Sequence, residues 1–210
     1  MTAADPIAAG GPRRPPFRST PSMTNHRPYI VGIGGTTANH SSSEKALLAA
    51  LAHAERNGAE TAAFVSDDLD FPNYGAGRLD ARASRLVEAI RRCDGLIIAT
   101  PAYHGIMSGM IKNALDCVEE LRTDARPYLD GRAVGTIVCA YGDQAMGTTL
   151  ASLRAVVHAL RGWPTPMGVA INSSTCRFGP DGECSDAGVA ARLALLAEQT
   201  LGFARLCHVA

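Results

Sequence analysis

Two uninterrupted apolar runs, residues 95–99 (GLIIA) and 133–140 (AVGTIVCA), constrain the fold of this chain most tightly. A strand with one wet face alternates apolar and polar residues, whereas a strand covered on both faces does not. Shorter β-rich runs occupy 29–33, 61–65 and 167–171. Between these runs apolar residues recur at helical spacing: Leu47, Leu48 and Leu51 within 44–57, and Leu86, Val87 and Ile90 within 81–92. Residues 109–121, 146–161 and 187–206 read as three further helices. Alternating strands and helices with doubly covered strands predict an α/β fold, a parallel sheet with helices on both faces. Right-handed crossovers then leave a doubly wound sheet of five parallel strands, order 2-1-3-4-5. In such a sheet a ligand sits at the carboxyl ends of strands one and three, where the winding reverses.

The chain has 210 residues, 46% of them apolar, enough for one sizeable domain. Residues 28–210 are expected to form it. Residues 1–27, rich in Pro, Gly, Ala and Arg without periodicity, are expected to be a disordered extension, or to precede a true start at Met23. The formal charge is zero, so there is no basic footprint for nucleic acid. No apolar run approaches the roughly 20 residues that span a bilayer, which predicts no membrane span. The six cysteines contain no C-x-x-C pair, so neither a disulfide framework nor a metal site is expected. Cys93, Cys117 and Cys139 lie in apolar segments and read as small hydrophobes. Cys176 and Cys184 lie in a Gly/Pro-rich stretch that leaves exposure open to them, with a redox role as the lesser alternative to ordinary free thiols. A reducing cytoplasm is the expected compartment.

The ligand edge places three segments together. The first, GGTTANHSSSEKALL (34–48), offers glycines for tight turns and hydroxyls from Thr36, Thr37, Ser41, Ser42 and Ser43. A helix beginning near Ser43 aims free N–H groups at the same place. The combination suits a terminal phosphate; it lacks the Gly-Lys-Ser/Thr of a Walker loop and the G-x-G-x-x-G of a dinucleotide grip. Ser41–Ser43 equally suit a helix cap. In the second, PAYHG (101–105), Pro101 lacks an N–H and the amides of Ala102 to Gly105 are expected to face outward, toward the polar edge of a flat heterocycle. Tyr103 offers a ring to stack or wall it, and His104 offers a proton; both also read as an ordinary exposed loop. In the third, CAYGDQAMG (139–147), Tyr141, Gly142, Asp143 and Gln144 read as a lid on the far end of a planar ligand, with Asp143 as an alternative helix N-cap.

TPAYHGIMSGMIKNALD (100–116) resembles the T-P-x-Y-x-G-x-x-S-G-x-x-K-N-x-x-D signature of the NAD(P)H-dependent FMN reductase family. The first segment resembles that family's phosphate loop and AYGDQ its third flavin loop. The resemblance implies a flavodoxin-like fold and FMN as cofactor, with NADPH or NADH as co-substrate. It assigns Thr36, Ser41 and Ser43 to the phosphate, Pro101, Ala102, Tyr103 and His104 to the border of the isoalloxazine, and Tyr141, Gly142, Asp143 and Gln144 to its other end. Ser108, Lys112 and Asn113 read as helix-start, packing or interface residues. Two departures stand out: Ala38 occupies the place of a common arginine, with Asn39 and His40 as substitutes, and Gly-Asp-Gln replaces Gly-Gly.

The implied reaction is hydride transfer from nicotinamide C4 to flavin N5, with no catalytic side chain because the flavin carries the chemistry. The nicotinamide would enter near Tyr103 and the 67–78 loop, with Arg78 and Arg82 as candidates for an NADPH 2′-phosphate. Electrons would pass to free flavin and a monooxygenase partner, or to a small acceptor such as a quinone; a homodimer or homotetramer is implied. Three alternatives remain open: an FMN-dependent dehydrogenase, a flavodoxin-type electron carrier, and a flavin-sensing module. The neutral charge speaks against the carrier, because such proteins steer partners with strong acidity.

Overall fold

The computed structural model describes residues 26–36, 40–75, 79–179 and 182–207. The expected extension lies, up to residue 25, outside the described residues. In chain order the elements are β1 (Tyr29–Gly34), α1 (Ser42–Arg56), β2 (Glu60–Val65), α2 (Ala81–Arg92), β3 (Gly95–Tyr103), β4 (Ile106–Met107), α3 (Gly109–Asp116), β5 (Ala133–Ala140), α4 (Asp143–Ala159), β6 (Trp163–Asn172) and α5 (Ala187–Cys207). Short 3-10 turns cover Ser66–Leu69 and Cys117–Leu121.

Five strands run parallel in the order β2-β1-β3-β5-β6. This is the predicted order once the two-residue β4, antiparallel to the tip of β3, is set aside. Alternate residues of each strand feed opposite faces. Val31, Ile33, Leu96 and Ile98 join α2, α3 and α4 in one core, whereas Ile30, Ile97, Ala99, Ile137 and Cys139 join α1 and α5 in the other. The apolar runs do not alternate because both faces are covered. Helix and sheet approach closely at Gly135, where a Cβ would lie 2.5 Å from Leu196 Cδ2.

Several boundaries differ from the sequence reading. β3 does not break at Pro101 but continues to Tyr103, with Pro101 opposite Cys139. β1 ends opposite Ala99, so beyond that point one side of β3 has no parallel neighbour and a residue without an N–H is tolerated. The expected 109–121 helix is α-helical only to Asp116. α4 begins at Asp143, three residues before the expected Met146, and β6 begins at Trp163 instead of Met167. Pro164 and Pro166 mask the first turn of that strand in the sequence, but β6 is the sheet edge, where proline is allowed.

Two polar anchors tie the sheet's lower edge. Asp94, buried, accepts from the Tyr29 N–H (2.8 Å) and pairs with His26 Nε2 at 2.9 Å. Arg27 Nη2 donates to Ala59 O at 3.0 Å, so the last two residues of the segment read as a tail contact the domain. Arg132 is fully buried. Its guanidinium donates to four carbonyls: Cys93 O (3.1 Å), Arg91 O (2.8 Å), Tyr128 O (3.1 Å) and Asp130 O (3.4 Å). Two of these close the C-terminus of α2, the negative end of its dipole.

Candidate functional site

β1, β3 and β5 are adjacent, and they end at Gly34, Tyr103 and Ala140. The three singled-out segments therefore leave the same edge of the sheet. Each is held there by its own set of bonds.

In the first segment Gly35 turns the chain at φ +99°, a conformation glycine adopts without strain. Thr36 is buried. Thr37, Ala38 and Asn39 lie outside the described residues, so the proposed substitution for the missing arginine rests on His40, which is exposed. Ser41 is the N-cap of α1; its Oγ accepts from the Glu44 N–H at 3.2 Å. Ser43 Oγ lies 3.2 Å from Ser41 Oγ, and Ser43 is buried. The cap reading of Ser41 is thus correct; one hydrogen of the Ser41–Ser43 pair joins the two hydroxyls and the other is left for a further acceptor. Glu44 is not among the residues expected at the site. Its buried carboxylate accepts from the His40 N–H (2.9 Å) and the Ser66 hydroxyl (3.2 Å), which braces the loop from behind. The Ser-x-x-Glu spacing of Ser41 and Glu44, the pattern of a capping box, was the available signal.

In the second segment β3 and β4 form a hairpin with Tyr103 opposite Ile106 and Ala102 opposite Met107. His104 (φ +53°) and Gly105 (φ +84°) make the two-residue turn. Two positive φ values give a turn whose twist matches the strands it joins. The expectation that all amides from Ala102 to Gly105 face outward is therefore corrected: the pair flanking a two-residue turn exchanges backbone bonds, so Tyr103 is engaged. Thr100, fully buried, fixes the hairpin's base, accepting from the Ser108 N–H (3.0 Å) and donating to Pro101 O (2.9 Å). Pro101 and Ala102 are half-buried, and Tyr103, His104 and Ile106 are exposed.

In the third segment Tyr141 is 76% exposed. Gly142 is the N-cap of α4, in an extended conformation. Asp143 is thus the first helical residue, which corrects its reading as N-cap; its Oδ1 accepts instead from Asn172 Nδ2 at 3.2 Å. Gln144 follows in the first turn and is exposed. A Cβ added at Gly142 would meet nothing within 4 Å, so space opens beside the cap.

The signature helix explains itself structurally. Ser108 caps α3, accepting from the Ile111 N–H at 3.3 Å. Ile111, Ala114 and Leu115 are buried in the core, so its apolar face packs inward. Lys112 pairs with Asp116 at 2.6 Å. Asn113 has a role no local pattern disclosed: Oδ1 accepts from the Tyr74 N–H (2.8 Å) and Nδ2 donates to Phe71 O (3.4 Å) and Pro72 O (3.3 Å). It pins the 71–74 segment, part of the expected nicotinamide entrance. Asn113→Ala is expected to cost about 1–2 kcal/mol, the loss of hydrogen-bond partners for three backbone groups, two of them partly buried. Limited trypsin digestion will then cleave the 72–82 region faster than in the parent protein.

Arg78 lies outside the described residues. Arg82 is engaged by acidic and carbonyl groups: Asp67 O at 3.2 Å, Asp80 at 3.6 Å and Asp70 at 3.9 Å. Burial pushes the Cys93 and Cys139 thiols up to about 12 and Cys117 to about 11, as expected of inert apolar-core thiols. Cys176, whose exposure the sequence leaves open, is buried, and Cys184 is half-buried. Among the described residues no group of His, Cys, Asp or Glu could hold a metal ion, and no helix is long and apolar enough to cross a membrane.

The donor set fits FMN. Two helix N-termini, of α1 and α4, direct free amides toward this edge, and serine hydroxyls stand at the first. The exposed side chains of Tyr103, Ile106 and Tyr141 offer apolar surface for a flat ring system. One end is suited to a phosphate dianion and the other to a tricycle.

Comparison with known proteins agrees. A flavoenzyme NAD(P)H:(acceptor) oxidoreductase from Paracoccus denitrificans superposes with a TM-score of 0.69 at 20% identity, over 84% of this chain and 97% of that one. A flavodoxin, WrbA-like protein from Agrobacterium tumefaciens gives 0.60 at 16% identity, over 86% and 99%. These likenesses establish a flavodoxin-like fold. An FMN-dependent NADPH-azoreductase of Staphylococcus aureus is 33% identical over 120 residues, which are 56% of this chain. The chain spans 60% of the length of that curated relative. Residues 28–175, which carry all three strand-end segments, match the family described as NADPH-dependent FMN reductase, and the chain belongs to that family.

Proposed function

We propose that this protein is an NAD(P)H-dependent FMN reductase. The observation that carries the reading is the convergence of a capped helix N-terminus, an aromatic hairpin tip and a second helix N-terminus on one sheet edge, within the family-matched residues. FMN, when bound, supplies the two-electron centre that accepts hydride from a nicotinamide. The chain's own part is binding and orientation. The first amides of α1, with Thr36, Ser41 and Ser43, hold the phosphate. Pro101, Ala102, Tyr103 and His104 border the ring system along one edge. Tyr141, Gly142, Asp143 and Gln144 bound its other end, and the α4 N-terminus presents amides where negative charge would develop. The 71–74 segment pinned by Asn113 flanks the entrance for NADPH or NADH.

Reduced equivalents then leave for free flavin, a flavin-dependent monooxygenase or a small acceptor such as a quinone. The azoreductase relative adds azo compounds to that class. A homodimer in the cytoplasm completes the proposal, in keeping with cysteines that are all free among the described residues.

The test combines binding and turnover. Purified protein given FMN and NADPH or NADH in air will oxidise the nicotinamide continuously. A yellow protein that neither nicotinamide bleaches would instead indicate a carrier or sensor, and failure to bind FMN would overturn the reading. Ser41→Ala with Ser43→Ala is expected to weaken FMN about 50-fold, through loss of hydrogen bonds to a charged group. Riboflavin, without the phosphate, should change by less than about threefold. Equal losses would remove the phosphate assignment. Fluorescence quenching of each flavin measures both.

A further inference from the structure

We propose that Cys176 and Cys184 form a redox-active dithiol, a modification site that closes to an intramolecular disulfide on reaction with a hydroperoxide. The two Sγ atoms lie 3.3 Å apart, about 1.2 Å beyond a disulfide bond. Their proximity is built into the backbone. Phe178 bridges Cys184 in antiparallel fashion. The Gly179 N–H donates to Glu183 O (2.8 Å), the Ser185 N–H to Arg177 O (2.8 Å) and the Arg177 N–H to Ser185 Oγ (2.9 Å). In such a ladder Cys176 stands two residues from the partner of Cys184, on the same face, where diagonal side chains meet.

The pair is also asymmetric in access. Cys184 lines an open groove of about 900 Å³ between α1 and α5, alongside His40, Lys45 and Ala187. Cys176 is 2% exposed and lies in the core beneath it. Burial, then its hydrogen bond to Cys184, push the Cys176 thiol up; Cys184 is the one of the two that peroxide can reach, so first attack falls to it. The other described thiols differ. Cys93, Cys117 and Cys139 are buried in the cores, and Cys207 is exposed near the chain's end.

The steps balance. The Cys184 thiolate attacks the peroxide oxygen, the O–O bond breaks, and an alcohol, or water from hydrogen peroxide, leaves with one proton. Cys184 is then a sulfenic acid. Cys176 Sγ attacks that sulfur, the S–O bond breaks, and water leaves carrying the Cys176 proton. The two thiols lose two electrons in all and the hydroperoxide gains them. An external dithiol restores both by exchange. This site does not depend on the flavin assignment.

The sequence supplies a direct assay. Arg177 lies between the two cysteines, so trypsin places them on separate peptides, 162–177 and 178–192, joined only by a disulfide. The full chain is reduced, treated with a few equivalents of hydrogen peroxide, alkylated and digested without reductant. The expected product is the linked peptide pair, formed before Cys207 is oxidised and lost on adding dithiothreitol. Cys176→Ser should leave a sulfenic acid at Cys184 that dimedone traps, and Cys184→Ala should abolish the linked pair. Three outcomes would overturn the proposal: both thiols still alkylated after Cys207 has oxidised, sulfinic acid at Cys184 beside an intact Cys176, or linkage of either cysteine to Cys139.

Discussion

Ser42→Asp is expected to weaken FMN binding about 100-fold, to leave riboflavin within about threefold, and to leave the protein as stable as its parent or slightly more so. Ser42 is the first residue of α1 and is half-buried. A carboxylate there complements the helix dipole, worth about 0.3–1 kcal/mol. On the proposed site the same carboxylate would face the FMN phosphate dianion. Like charges a few ångströms apart, one of them doubled, cost about 2–3 kcal/mol at an intermediate effective dielectric, which gives the 100-fold figure. The substitution spares the Ser41 cap and the Ser43 hydroxyl beside it. Its effect should shrink as salt is raised, since exposed charges are screened. Titrations with both flavins at two salt concentrations, with a thermal melt, separate these effects. An unchanged FMN affinity would place the phosphate elsewhere.

Arg132→Met is expected to lower the melting temperature by about 10 °C or more, the largest loss of stability foreseen for a single polar side chain here. Methionine fills a similar volume, so the change isolates the guanidinium. Four carbonyls would lose their donor at a fully buried position. Unsatisfied buried acceptors facing a removed charge cost about 3–5 kcal/mol together, and each kcal/mol moves a domain of this size by about 2–4 °C. Burial pulls the Arg132 pKa down from its usual value, yet the group keeps its proton, because every partner is an acceptor. Arg132→Lys keeps the charge but not the planar fork of donors, and should fall between the two. Differential scanning calorimetry orders the three proteins.

Much of the frame was legible in the residues alone. The bounds of α2 and β5 were expected from the helical recurrence of Leu86, Val87 and Ile90 and from an apolar run, both local signals, and the structure keeps them unchanged. The strand order and the choice of three strand-end segments follow from the alternation of elements and the handedness of crossovers. Within the candidate site the cap role of Ser41 was readable from the same short stretch. The start of α4 was not, because Gly142-Asp143-Gln144 suits a loop as well as a first turn. Nor was the β3–β4 hairpin, because a two-residue strand is too short to show any periodicity.

What the sequence determined by itself is therefore the set of elements, their order and the edge where a ligand belongs, since propensity and periodicity act over a few neighbouring residues. The tertiary structure decided the partners: Asn113 with the 71–74 segment, Glu44 with Ser66, Arg132 with the end of α2, and Cys176 with Cys184. The first three pairings join residues 22 to 42 positions apart. The fourth depends on a loop folding back on itself. Such contacts are chosen by how the layers pack, and packing has no local signature from which to read them.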